Sequence, residues 1–166
     1  MNEPETTELE YSENELKKHE YIFKARMNSL YHERLDRFYN HWINWTSFAS
    51  LLFASTAFVA VGQLPMLQPY SDWIVVLSAL VVAILNSIVL AFSMNNKSKE
   101  HSEFKRRWSE FHGEALAANV DRDGDFSKLD KIFVEINASE TPPNQTRLKN
   151  AHKATVIAMG LDQVPA

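Results

Sequence analysis

Asp121, Asp123 and Asp125 alternate in the manner of a calcium loop, whose carboxylates at every second position converge on one hard cation. Counted from Asp121, however, glycine stands at the fourth position rather than the sixth (Gly124), and the twelfth, where a bidentate glutamate belongs, is Ile132. A solvated acidic turn is the better reading, and no metal is expected there. The histidines form no ligand pair. His19, His32 and His41 are 13 and 9 residues apart and His101 and His112 are 11 apart, whereas two imidazoles on one helix face need a spacing of four. His19 and His32 each precede a glutamate, yet the second histidine of a zinc-protease helix is missing. Glycine occurs only at 62, 113, 124 and 160, so neither a phosphate loop nor a dinucleotide fingerprint can be built. With no cysteine and no serine in a nucleophile elbow, no enzyme activity and no cofactor are expected. The basic run Lys105-Arg106-Arg107-Trp108 could meet nucleic acid or anionic lipid.

The surroundings of that run favour lipid, with no nucleic acid as partner. A net charge of −4 and 23% charged residues resemble an ordinary soluble domain, but the charges are unevenly placed. From Phe38 to Ser71 there is no Asp, Glu, Lys or Arg, and from Trp73 to Asn96 there is none again. Two windows, 42–61 and 73–94, are 20 and 22 residues long. A helix of about 20 residues covers about 30 Å, the hydrocarbon thickness of a bilayer. Both windows are expected to span a membrane, because the rest of the chain supplies too few apolar faces to bury two such helices all round.

Orientation follows from the flanks. Lys24, Arg26, Arg34 and Arg37 precede the first span and Lys97, Lys99, Lys105, Arg106 and Arg107 follow the second, while residues 62–72 contain no basic residue. The excess of cations on one side places both termini in the cytoplasm and the Pro65/Pro69 turn outside. Tyr70 and Trp73 fit an outer aromatic belt, and Tyr39, Trp42 and Trp45 an inner one. The acidic start lacks the basic region of a cleaved signal peptide.

The remaining segments read as helices, making an all-α membrane protein: a two-transmembrane hairpin with long cytoplasmic helical extensions and a small helical tail. Residues 1–12 read as a disordered acidic N-terminus, 13–41 as a cytoplasmic helix, 42–94 as the hairpin, 95–120 as a second cytoplasmic helix and 121–166 as the tail. Leu16, Phe23, Met27, Leu30, Arg34 and Phe38 fall on one helical stripe, and Phe104, Trp108, Phe111, Ala115 and Ala118 on another. The two stripes are expected to pack on each other and to form an oligomer stalk, chiefly through Leu16, Phe23, Leu30, Phe104, Trp108 and Phe111. The second span should continue inward as helix to about Asn119. After the Asp121–Asp125 loop, a helix over 126–140 with Phe126, Leu129, Ile132, Phe133 and Ile136 on one face is followed by a break at Thr141-Pro142-Pro143 and a last helix stopped near Gly160. No strand signal is present.

Asn86 lies near the middle of the second apolar run. An unpartnered amide in hydrocarbon costs several kcal/mol. Ala79, Ala83 and Ser87 make a small-residue ridge beside it, as Thr46, Ser50, Ala54 and Ala57 do on the first span, and such ridges let helices approach closely. Asn86 therefore either bonds to a neighbouring span, within the hairpin or between subunits, or lines an aqueous path. A lone hairpin cannot enclose a pore, so conduction requires oligomers.

A cytoplasmic helix, a tight two-span hairpin, an inward helix and a helical tail with Pro142-Pro143, Arg147, Leu148, Asn150, His152 and Met159-Gly160 resemble the SLATT proteins, two-transmembrane effectors of bacterial conflict systems. The resemblance covers most of the chain after Leu16. It implies an oligomeric effector of antiviral defence in the bacterial inner membrane, pore-forming or membrane-perturbing, controlled by a nucleotide-signalling or sensor protein encoded nearby. The alternative is a membrane scaffold whose cytoplasmic helices recruit a soluble defence complex.

Overall fold

A computed structural model describes residues 13–62, 71–119 and 123–161 of the chain, with side chains described over 13–55, 72–119 and 126–161. The acidic N-terminus and the Pro65/Pro69 turn lie outside these residues. Five helices follow in order: α1 (Glu13–Gly62), α2 (Ser71–Ala91), α3 (Met94–Ala117), α4 (Asp123–Ser139) and α5 (Gln145–Ala158). No strand occurs among the described residues, so the all-helical expectation stands.

The helix boundaries have local causes. α1 runs for 50 residues without an internal glycine or proline, and Glu13 and Glu15 in its first turn complement the positive end of the helix dipole. α5 starts where the pyrrolidine rings of Pro142 and Pro143 end. Asn144 caps it, its side chain accepting the Arg147 amide at 3.2 Å. It stops at Gly160, whose φ of +69° suits a residue without Cβ. The acidic segment expected as a loop is partly helical, since α4 already begins at Asp123; carboxylates are favoured in a first helical turn. One expectation fails more clearly. The second apolar helix does not run on to Asn119 but ends at Ala91, and Ser93 takes a left-handed φ of +48° before α3 begins. The Ser93 amide bonds to Leu90 at 3.0 Å, tightening the turn, and the Ser93 carbonyl accepts Lys97 N–H to start α3.

The chain divides into two units, Met1–His32 with Glu103–Ala166, and Glu33–Ser102. In the first, Phe104, Trp108, Phe111, Ala115 and Ala118 form the α3 stripe read from the sequence and meet Leu129 and Ile136 of α4, with Ile132 and Phe133 beside them. Phe133 stands 5.9 Å from both Trp108 and Phe111, ring centre to ring centre. The α1 face in this core is Tyr21, Ile22 and Ala25, not Leu16, Phe23 and Leu30. Leu16 is 67% exposed, and Phe23 and Leu30 are half-buried. Tyr21 and Phe23 point to nearly opposite sides of a helix, so choosing the wrong aromatic turns the whole stripe. With Trp108 0% and Phe111 1% exposed, these side chains are core of their own chain.

In the second unit, α1 from Glu33, α2 and the start of α3 pack together. The least exposed line on α2 is Ile74, Ser78, Val81 and Leu85, and on α1 Leu35, Tyr39, Ile43 and Thr46. Both lines have the spacing of a helical seam. At one end the Ser98 hydroxyl donates to Asp36 Oδ1 at 2.7 Å and lies 3.0 Å from Asn40 Oδ1, and His101 stacks on Tyr39 at 5.6 Å.

Candidate functional site

The second unit is built around an apolar surface that folding leaves uncovered. The α2 segment Asp72–Ala91 has 20 residues and a mean hydropathy of 2.8, yet only 6% of it is buried. Trp73, Leu77, Leu80, Ile84 and Leu90 are exposed along it, as are Trp42, Trp45, Phe48, Leu51 and Leu52 on α1. Soluble proteins rarely leave contiguous apolar patches of this extent in water. Among the described residues, α2 is the one helix long and apolar enough to cross a membrane. The first window, 42–61, extends into residues whose side chains lie outside those described.

The small residues singled out in the sequence divide between two faces. Thr46 is buried, with Oγ1 donating to the Trp42 carbonyl at 2.7 Å, and Ser50 is half-buried with its hydroxyl unpaired among the described residues. Ala54, Ala79, Ala83, Asn86 and Ser87 are exposed, and the side chain of Ala57 lies outside the described residues. The α2 ridge thus faces away from α1, and Ser78, buried in its place, was missed. The signal for it was the seven-residue step from Ser78 to Leu85, one heptad on the inward line. Ser87 Oγ is turned back onto the Ala83 carbonyl at 2.7 Å, as Ser55 is onto Leu51 at 2.8 Å. Such back-bonds hide hydroxyls within their own helix. Asn86 lines an open groove of about 460 Å³ with Ser87, Val89, Leu90, Ser93, Asn95 and Asn96.

The first unit carries the polar constellation with the deepest burial. His32 is 1% exposed; its Nε2 is 2.9 Å from Glu140 Oε1, and Trp108 Nε1 donates to Glu140 Oε2 at 3.2 Å. The His32 ring stacks on Phe104 at 5.2 Å and meets Tyr31 edge-on. Tyr31 Oη accepts the Asn144 amide at 2.9 Å, tying α1 to the start of α5. With one carboxylate oxygen on an imidazole and the other on an indole, Glu140 clamps three helices. The sequence could not bring it to notice, because its partners stand 108 and 32 residues away. Of the tail motif, His152 meets Phe23 edge-on at 5.2 Å, Met159 packs against the core and Leu148 lines a groove of about 450 Å³ beside Pro142 and Pro143.

Charges on this unit are largely paired within the chain. Arg106 forks between Glu103 at 2.5 Å and Glu110 at 2.6 Å, and that guanidinium holds the Glu103 carboxyl below the usual glutamate range. Arg107 donates to Ser139 at 2.8 Å and reaches Glu135 at 3.4 Å. The basic run is therefore less available to lipid headgroups than its sequence suggests. Asp130 accepts from Lys17 at 2.8 Å and from the Tyr21 hydroxyl, and these bonds hold its carboxyl below the usual aspartate range. His112 is pushed below the usual imidazole value by burial and then by Arg26. Among the described residues no three His, Cys, Asp or Glu side chains stand together as metal ligands. Compared with models of protein families, with curated proteins and with solved structures, the chain matches none.

Proposed function

We propose that the chain is a multi-pass protein of a bacterial inner membrane with both termini in the cytoplasm, and that it acts as an oligomeric, pore-forming or membrane-perturbing effector. The observation that carries this reading is the 20-residue apolar segment of α2, 6% buried, which must be covered by lipid or by further copies of itself. Assembly is supported by Asn86. Its exposed amide would sit in hydrocarbon unless another copy met it, and polar groups at that depth line aqueous paths or join subunits. The role in antiviral defence and the control by a nucleotide-signalling or sensor protein rest on the SLATT resemblance alone. The first unit, with its paired charges and aromatic core, is the part through which such a protein would act.

The test is overproduction of the wild type and Asn86→Leu in bacterial cells, read with a potential-sensitive dye beside cross-linking of the same cells. Depolarisation by the wild type, abolished by the leucine variant while the cross-linked oligomer persists, is the expected result. Oligomers and depolarisation both undiminished would remove Asn86 from the path. Recovery of the wild type in the soluble fraction would overturn the whole reading.

A further inference from the structure

The second unit holds a second cavity whose lining differs from the polar groove around Asn86. It measures about 410 Å³, within the size range of small-ligand sites, and is bounded by Phe38, Trp42, Trp45, Ala49 and Leu85, with His41 and Thr46 its polar members. The Thr46 hydroxyl is spent on the Trp42 carbonyl, so its methyl is what the cavity meets. One side chain of α2 and one face of α1 thus make an apolar slot with no uncommitted hydroxyl and with exposed tryptophans on its wall.

A charge stands beside it on the same face of α1. Arg34, Phe38, His41 and Trp45 follow one another at steps of four, three and four, so the slot's own stripe carries a cation one turn before it begins. The neighbouring acids are turned elsewhere: Asp36 receives Ser98 and Asn40, and Glu33 is paired with Arg37. Lys97 of α3 lies over the Tyr39 ring at 5.9 Å. An apolar slot between two helices, with tryptophan at its mouth and basic residues at its cytoplasmic end, is the arrangement that takes one acyl chain of an anionic lipid below its phosphate.

We infer that the slot formed by Trp42, Trp45, Ala49 and Leu85 binds an anionic phospholipid of the cytoplasmic leaflet, its acyl chain between α1 and α2 and its phosphate toward Arg34. This rests on the membrane reading above. The occupant is a lipid rather than a second copy because the cationic end calls for an anion, which an apolar helix face of the same chain does not supply.

The experiment uses the full chain with Trp73→Phe, so that accessible tryptophan fluorescence comes from Trp42 and Trp45, Trp108 being sealed in the core. The protein is reconstituted in vesicles of phosphatidylcholine containing either phosphatidylglycerol or further phosphatidylcholine brominated near the carbonyl end of the acyl chain. Quenching by the brominated anionic lipid is expected at about fivefold lower mole fraction than by the zwitterionic one. Ala49→Phe, which fills the slot, should abolish the preference, and Arg34→Gln should reduce it about threefold, with both variants still resisting extraction by alkaline carbonate. Equal quenching by the two lipids, or a preference unchanged in Ala49→Phe, would overturn the site. Absence of quenching by either lipid in a carbonate-resistant protein would mean that a second copy fills the slot, and would overturn it too. Release by carbonate would instead sink the membrane reading on which the site depends.

Discussion

Glu140, just past the end of α4, shows how much one side chain can hold when its partners come from two other helices. Trp108 is fully buried, and its indole N–H ends on Glu140. Replacing Glu140 with alanine leaves that donor in the core without its acceptor and takes a carboxylate from His32. An orphaned buried donor costs about 1–3 kcal/mol, so Glu140→Ala should lower the unfolding free energy of the detergent-solubilised protein by at least about 1 kcal/mol. Thermal unfolding followed by Trp108 fluorescence measures it. A midpoint unchanged from wild type would mean that solvent reaches the indole. Glu140 is a polar residue just before a Pro-Pro break in the sequence, and nothing local marks it. His32 has no ligand spacing in the sequence, and packing gives it a carboxylate partner instead. Trp108 lies on the α3 stripe read from the sequence and is buried within its own chain, and a stripe has the same spacing whichever neighbour covers it.

Helix ends were legible wherever proline, glycine or asparagine marked them, as at Asn144 and Gly160. The break between α2 and α3 has no such mark. Phe92-Ser93-Met94 carries neither glycine nor proline, and Ser93 takes a left-handed conformation that costs an L-residue about 1–2 kcal/mol. Ser93→Gly should relieve that strain and raise stability by about 0.5–1 kcal/mol, while Ser93→Val, whose branched side chain resists positive φ, should lower it by at least about 1 kcal/mol. Denaturation in mixed detergent micelles compares the three. Equal stability in all of them would mean that the helix continues through Ser93, as its sequence suggests. The inward face of α2 was also hidden. Ala79, Ala83 and Ser87 look like the closest-packing ridge, yet Ser78 is the residue that is buried. In an all-apolar helix every face has the composition of a core, so periodicity cannot say which one meets α1.

At the scale of the molecule, the groups with shifted pKa values among the described residues lie in the first unit. Three of them, Glu103, His112 and Asp130, have folded pKa values below their unfolded ones. For each, the unfolded state takes up protons at a higher pH than the folded state, so acidification favours unfolding. The His112 contribution is present above about pH 6.5 and is lost as pH falls from there through its lowered value; the Asp130 contribution is lost below about pH 3.9. Asp130 is partly exposed, so screening keeps its share small, of the order of an exposed ion pair. Unfolding midpoints should therefore fall between pH 7 and 5, and His112→Gln should flatten that segment of the curve. A wild-type midpoint that rises between pH 7 and 5 would contradict the His112 shift.

By itself the sequence determined that this chain is helical, that it has two long charge-free windows, and that no phosphate loop, thiolate site or nucleophile elbow can be made from it. These conclusions follow from composition and local spacing, which the chain carries wherever its parts end up. The tertiary structure alone decided which stripe became core, which ridge was left facing out, and which carboxylate joined His32 to Trp108. Those depend on residues 30 or 100 positions apart, and a helical period gives the spacing of a face without its direction. The slot between Trp45 and Leu85 belongs to the same class: each wall was visible in the sequence as a run of apolar residues, and only their packing left a space between them.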